Sequence, residues 1–320
     1  MPHVTDWFMR ARWGVNIAFM AIEGESTGGA EIPGDVWNRR VDAFDVDGLA
    51  AQLGALNVPY CFLTLGQNSG HYCSPNATYD ELVGISPSKC SRRDLAADLA
   101  TALARHGIRL LVYLPSGAPA ADRVARQRLE WEWGYECEWP NGYCDNLRNG
   151  LRLEKFQRNW ERVVSEWSRR WGQQVWGWWI DGCYFADEMY RHPKPPNFQS
   201  FAAALKSGNP RALVAFNPGQ IVPLISHSEY EDYTAGEVSD NFPLCRGRWV
   251  ERNRHAVQWH VYSWIGPQWG RGQPPRFSPE FVIGYTRQVT GHQGVVTWDV
   301  PFRENGLIPD AYLRILEALA

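Results

Sequence analysis

What the chain lacks narrows its chemistry before any residue is singled out. None of its seven cysteines, at positions 61, 73, 90, 137, 144, 183 and 245, forms a C-x-x-C pair, and no H-x-H or H-E-x-x-H spacing occurs. Both absences argue against a metal site, and none is assigned. Neither a G-x-G-x-x-G loop nor a P-loop is present, so nucleotide chemistry has no support and no cofactor is called for. No apolar run is long enough to span a bilayer. Met1–Arg10 lacks a basic region followed by an apolar stretch, so no signal peptide is read there. Location is left open between the cytoplasm and secretion after processing. A formal charge of −3 gives no electrostatic footprint for nucleic acid or an anionic membrane. No internal repeat and no low-complexity tract is visible.

What is there reads as a globular chain rich in aromatics. Hydrophobic residues make up 44% and charged residues 21% of the 320, a balance that argues against long disorder. At about 150 residues per domain the length allows roughly two domains, and it equally fits a single (β/α)₈ barrel. There are 17 Trp, 13 Tyr and 13 Phe. Rings at this density pack cores, and they also form flat walls on which sugar rings stack. Cys137 and Cys144 are near enough in sequence for one local disulfide in an oxidising compartment, with free thiols as the alternative.

Strand-like apolar runs alternate with amphipathic helices. Strands are expected at Gly14–Met20, Val58–Leu65, Ile108–Leu114, Val175–Asp181 and Ala212–Asn217, then near Tyr233–Glu237, at Val257–Tyr262 and at Gly294–Asp299. Helices are expected at Asp45–Asn57, Arg93–His106, Leu151–Trp171 and Phe198–Lys206, and near Pro279–Thr290 and Pro309–Leu319. Arg126–Asn149 reads as a long loop over the top of the sheet. The economical architecture is α/β, a single (β/α)₈ TIM-type barrel over residues 1–320.

In such a barrel the active site lies at the C-terminal ends of the strands. Those ends carry Gln67 and Asn68 in the second unit, Tyr113 and Ser116 in the third, Asp181 in the fourth and Asn217 in the fifth. Glu237 follows in the sixth, His260 in the seventh, and Trp298 and Asp299 in the eighth. Asp181 is the sharpest signal. It follows the apolar run Trp176–Ile180, and a carboxylate at the end of a buried strand is desolvated unless it faces a site. A helix N-cap or an ion-pair partner is the alternative. Ser228–Asp240 holds Glu229, Glu231, Asp232, Glu237 and Asp240, most of them expected to be solvated loop charges. Asn141–Asn149 and Arg271–Arg276 read as loops shaping an outer subsite. Asn76–Thr78 is a glycosylation sequon.

Several stretches carry a family pattern in order. Asp6–Phe19 (DWFMRARWGVNIAF) resembles W-F-x-x-A-R-F-G-x-F-I-H-W. Phe44–Tyr72 is similar to F-D-A-x-x-W-x-x-L-A-K-x-A-G-A-K-Y-x-V-L-T-x-K-H-H-D-G-F. Ser91–Ser116 is similar to K-R-D-L-V-x-E-L-x-x-A-x-R-K-x-G-L-K-x-G-x-Y-Y-S. Trp179–Gly182 (WIDG) resembles W-F-D-G, Asp232–Glu237 (DYTAGE) resembles D-Y-x-T-P-E, and Val295–Leu316 resembles L-L-N-I-G-P-x-x-D-G-x-I-P. These are patterns of the α-L-fucosidases of glycoside hydrolase family 29. Their paired His falls here on Gln67 and Asn68, the His of I-H-W on Ala18, and the W-E pair of the seventh strand on Trp259 and His260. The β-sandwich that follows the barrel in that family is not expected.

The resemblance implies a covalent glycosyl-enzyme mechanism with Asp181 as nucleophile. Glu237 is the expected acid/base, because it lies in the motif-like segment and follows Asp181 in the chain; Glu229, Asp232 and His260 are alternatives. Its pKa must then be raised towards neutrality by burial or by a neighbouring anion. Gln67 and Asn68 are expected to read sugar hydroxyls. Trp37, Trp179, Trp259 and Trp298 are candidates to stack on ring faces, and Tyr113, Asn217, His260 and Asp299 to complete the pocket. The expected function is a retaining exo-glycosidase that releases a terminal sugar from an oligosaccharide or glycoconjugate. An inverting enzyme of the same fold and a carbohydrate-binding barrel without catalysis are the alternatives. The altered His positions point to a different sugar or to loss of cleavage, with a fucose pocket rebuilt from other residues as a third reading.

Overall fold

The computed structural model describes residues 3–21, 32–117, 119, 121–131, 152–184, 186–220, 224–252 and 255–320. Its strands are β1 (Trp13–Ile17), β2 (Tyr60–Thr64), β3 (Arg109–Pro115), β4 (Val175–Asp181), β5 (Leu213–Phe216), β6 (Trp249–Arg252), β7 (His255–Gln258), β8 (His260–Trp264) and β9 (Val295–Asp299). The helices are α1 (Asp6–Ala11), α2 (Gly34–Asp42), α3 (Val46–Ala55), α4 (Ala77–Val83), α5 (Leu95–Ala104), α6 (Arg123–Leu129), α7 (Glu154–Trp171), α8 (Ala186–Met189), α9 (Phe198–Leu205), α10 (Pro279–Gly291) and α11 (Asp310–Glu317). Seven strands form one parallel sheet in the order β5-β4-β3-β2-β1-β9-β8, and β6 and β7 form a separate antiparallel pair.

Alternation along each strand gives the sheet two buried faces, which is why the strands read as unbroken apolar runs. Tyr60 and Phe62 of β2, Tyr113 of β3, Trp179 of β4, Leu213 of β5 and Tyr262 of β8 share the inner face. The sheet curls until its flanks meet: the Trp179 and Tyr262 rings are 4.9 Å apart and those of Phe62 and Tyr262 6.3 Å. Phe8 of α1 closes the N-terminal end, its ring 5.0, 5.1 and 5.4 Å from Tyr60, Tyr233 and His260. On the outer face, α5 contributes Leu95, Leu99 and Leu103, and α7 contributes Trp160, Trp167 and Trp171, all buried.

Between β5 and β8 the expected sixth strand is not regular. Tyr233 bridges to Gln258 and Glu237 to Tyr262, both in parallel sense but isolated. Backbone bonds nonetheless run to both sides: Asp232 N–H donates to Val214 O at 2.8 Å, and Tyr262 N–H to Gly236 O at 2.8 Å. Gly236 explains the irregularity. It has φ +66, and a Cβ there would lie 1.9 Å from His260 O. Only glycine lets the segment pass this close while bending.

Three other expectations change. The strand foreseen at Val257–Tyr262 is two strands: β7 pairs with β6, and β8 begins at His260, opposite Val295 of β9. The loop foreseen from Arg126 starts inside α6, because the Asp122 carboxylate accepts the N–H groups of Val124 and Ala125, both at 3.0 Å, and so caps a helix. Residues 132–151, with Cys137, Cys144 and Asn141–Asn149, lie outside the described residues. The other five cysteines are buried free thiols. Asn76 of the sequon is buried, accepting from Tyr79 N–H at 2.7 Å and donating to Val163 O at 2.9 Å.

Candidate active site

Strand β4 delivers Asp181 to the C-terminal mouth of the sheet on the inner face, two residues beyond Trp179. Backbone bonds on either side fix the strand end: Ser116 N–H donates to Asp181 O and Asn217 N–H to Ile180 O, both at 2.7 Å. Donors then converge on the carboxylate. Oδ1 accepts from Gly182 N–H (2.8 Å), Tyr184 O–H (3.1 Å) and Asn217 Nδ2 (2.8 Å). Among the described residues Oδ2 accepts from the Tyr113 hydroxyl alone, and that hydroxyl in turn accepts from Gln67 Nε2.

Glu237 stands beside it on the irregular segment. The same Asn217 Nδ2 donates to Glu237 Oε2 at 2.6 Å, and Gln220 Nε2 donates to Oε1 at 3.0 Å. One nitrogen reaching both acids at 2.8 and 2.6 Å keeps those two oxygens within about 5.4 Å, the two bonds laid end to end. Retaining glycosidases place their carboxyl groups about 5–5.5 Å apart and inverting ones about 6.5–9.5 Å. Burial first, and the Asp181 charge second, push Glu237 up to about 7, against the weaker pull of Gln220 and Asn217. Burial and the Asp181 charge also hold the Tyr113 phenol well above its ordinary value, so it remains a proton donor.

The structure brings together Asp181, Glu237, Asn217, Tyr113 and Gln67, and the last three make hydrogen bonds within the site. Asn217 bridges the acids, with its own Oδ1 accepting from Gly219 N–H at 3.0 Å. Gln67 and Tyr113 form a relay to Asp181. Asn68 stands partly exposed at the rim, its carbonyl accepting from Ala121 N–H at 2.9 Å. Ser116 is buried beneath the mouth.

The four tryptophans chosen for ring stacking are all buried. Trp179 faces the barrel interior, stacked on Tyr113 at 5.1 Å and against Tyr262 at 4.9 Å, so it braces the pocket floor. Trp37, Trp259 and Trp298 lie in the outer core between sheet and helices. For Trp298 the reason is strand parity: Thr297 and Asp299 face inward, so Trp298 faces out and donates to Thr286 of α10 at 2.9 Å.

His260 faces inward at the opposite end of the barrel from the acids. It opens β8 and is fully buried, with Nδ1 on Thr234 O at 2.9 Å and Nε2 on Thr297 Oγ1 at 2.8 Å. Burial lowers it to about 3, which keeps it neutral and structural. Of the alternative acids, Glu229 is exposed; its neighbour Glu231 is buried under β5, accepting from Phe216 N–H and Ser228 N–H at 2.9 Å each. Asp232 pairs with Lys206 at 2.7 Å. Asp299 reaches the mouth on the inner face of β9 but is fully buried.

Sequence reasoning missed Tyr184, Gln220 and Tyr262. Tyr262 is the inward residue after His260, a parity signal hidden by placing the strand end two residues early. Trp264 and Trp269 are the partly exposed aromatics beside it, with Trp269 stacked on Tyr262 at 5.0 Å. Among the described residues no cluster of His, Cys, Asp and Glu has the form of a metal site.

No protein-family model and no curated protein matches this chain. Solved structures do. The fold matches that of the endo-fucoidan hydrolase P5AFcnA of glycoside hydrolase family 107 with TM-score 0.71 and 16% identity, covering 98% of this chain and 92% of that one. Its family relative MfFcnA4 gives TM-score 0.71 and 17% identity over 98% of this chain and 53% of that one. Alpha-L-fucosidase isoenzyme 1 from Paenibacillus thiaminolyticus gives TM-score 0.64 and 15% identity over 98% and 73%. At these identities the likeness is one of fold.

Proposed function

We propose that the protein is a retaining glycoside hydrolase acting on fucosides, with Asp181 as nucleophile and Glu237 as acid/base. The observation that carries the reading is the single Asn217 amide bonded to both carboxyl groups, with Glu237 pushed up to about 7. A group titrating there holds its proton at neutral pH and releases it readily, as a general acid must. The shared fold with enzymes named as fucoidan hydrolases and fucosidases supplies the sugar class.

In the first step an Asp181 oxygen attacks the anomeric carbon. Oδ2 carries one donor and keeps a lone pair for this. The glycosidic C–O bond breaks as the Glu237 proton passes to the leaving oxygen, leaving a glycosyl ester on Asp181. In the second step the Glu237 carboxylate takes a proton from water, the oxygen of that water bonds to the anomeric carbon, and the ester bond breaks. Two inversions give net retention. Release of a terminal sugar, the mode that the resemblance to the α-L-fucosidases implies, remains our reading.

Azide rescue tests the roles. Glu237→Ala with an activated aryl fucoside and azide is expected to yield the glycosyl azide of retained configuration, and Asp181→Ala the inverted one. Rescue with the same configuration in both variants, or in neither, removes the assignment.

A further inference from the structure

Beside Glu237 and across the mouth from Asp181 lies a second polar set that the proposed chemistry leaves unused. Asn16 of β1, Asp299 of β9 and Tyr262 of β8 come from adjacent strands and face inward near their C-terminal ends. Asp299 is fully buried, yet no cation pairs with it among the described residues. Its carboxyl accepts from Asn16 Nδ2 at 2.5 Å and from Gly270 N–H. Burial raises it to about 8. Asn16 Oδ1 is buried without a hydrogen-bond partner, a condition that native interiors almost always avoid. The Tyr262 ring is held between Trp179 and Trp269, while its hydroxyl makes no hydrogen bond among the described residues. Asp299, Glu237 and Asp181 all lie close enough to act on that hydroxyl electrostatically.

The cover over this set is the tip of the Ile265–Arg276 loop. Gly270 reaches in with φ +64, and a Cβ on it would lie 3.0 Å from Ala18 Cβ and 3.0 Å from the Phe302 ring. Glycine alone fits that space. The loop base is held by Arg276 N–H to Ile265 O at 2.9 Å and by the Tyr312 hydroxyl to Gly272 O at 2.7 Å. At the tip, Arg271 N–H to Gln268 O at 3.2 Å and Phe302 N–H to Gly270 O at 3.3 Å are longer, and the Gly270 N–H bond to Asp299 holds the tip down.

We propose that Asn16, Asp299 and Tyr262 form a sugar-hydroxyl subsite, and that the Trp269–Gly270 tip is its displaceable cover. The chemistry fits a sugar ring carrying neighbouring hydroxyls. One hydroxyl donates to Asp299 in place of the Gly270 N–H, another donates to Asn16 Oδ1, and Tyr262 donates to a ring substituent. This rests on the glycoside reading for its substrate class.

The test is hydrogen exchange of residues 265–276 in the Asp181→Asn variant, with and without 4-nitrophenyl α-L-fucopyranoside. Exchange at the Gly270 amide is expected to quicken at least about tenfold when the sugar displaces it from Asp299. In otherwise wild-type enzyme, Tyr262→Phe is expected to raise KM roughly tenfold with kcat nearly unchanged, the loss of one hydroxyl bond. Unchanged or slowed exchange with the sugar, or an unaltered KM in Tyr262→Phe, overturns the proposal. If the wild type cleaves no glycoside while the sugar still quickens exchange, the catalytic reading fails and this one stands. Turnover with unchanged exchange is the reverse.

Discussion

Replacing Asn217 with Ala removes the amide nitrogen whose two N–H groups serve the two acids. The bonds lost are those at 2.8 Å to Asp181 Oδ1 and 2.6 Å to Glu237 Oε2. A hydrogen bond to a charged group contributes about 1.5–3 kcal/mol. Asp181 keeps donors from Gly182, Tyr184 and Tyr113, and Glu237 keeps Gln220. The lower part of the range therefore applies, about 2 kcal/mol in the transition state, or roughly thirtyfold in kcat/KM. A second readout carries a sign. Asn217 favours the charged form of Glu237, so its removal moves that group upward from about 7. The basic limb of kcat/KM, where the general acid loses its proton, then shifts to higher pH. Initial rates on 4-nitrophenyl α-L-fucopyranoside across pH measure both. A rate loss with the basic limb unmoved or lowered refutes the bridging role, because a merely structural defect lowers rate without tuning Glu237.

Other outcomes follow from the same geometry. Tyr113→Phe keeps the ring on Trp179 but removes the donor to Asp181 Oδ2; kcat should fall at least about tenfold with the urea midpoint nearly unchanged. Gly236→Ala places a Cβ 1.9 Å from His260 O at φ +66, and a stability loss above about 2 kcal/mol is expected in urea unfolding. Asp299 is raised to about 8 in the fold from about 3.9 unfolded, so its stabilisation is full below about pH 4 and lost as pH rises through about 8. His260, lowered to about 3, works in the opposite sense, but only up to its unfolded value of about 6.5. Between about pH 6.5 and 8 the Tm of Asp299→Asn should therefore fall less than that of the wild type.

Parity and motif order make the parallel sheet and the place of Asp181 at its mouth readable. Val175–Asp181 is the same strand by pattern and by structure, because apolar residues on both faces followed by Asp-Gly leave few other conformations. Glu237 is harder to see, one of five acids in Ser228–Asp240. What separates it is Gly236, whose backbone bend no composition reveals. The burial of the tryptophans, and the bonds that Gln67 and Asn217 already make within the site, are not legible in the sequence for one reason. Position at a strand end says that a side chain is near the mouth; it does not say whether a neighbouring residue has already taken its donors. His260 opens a strand instead of ending one because the break at Trp259, where Trp259 N–H donates to Arg248 O at 2.7 Å, splits the run into two strands with different partners.

The central claim is that Asp181 and Glu237 work as a retaining pair on a fucoside. The direct measurement is the anomeric configuration of the first-formed sugar, followed by proton NMR during hydrolysis of 4-nitrophenyl α-L-fucopyranoside by wild type, with Asp181→Asn as control. The account predicts that α-L-fucose appears first and mutarotates later, with no turnover in the variant. Initial release of β-L-fucose, turnover that survives Asp181→Asn, or a wild type that leaves the fucoside intact would contradict it.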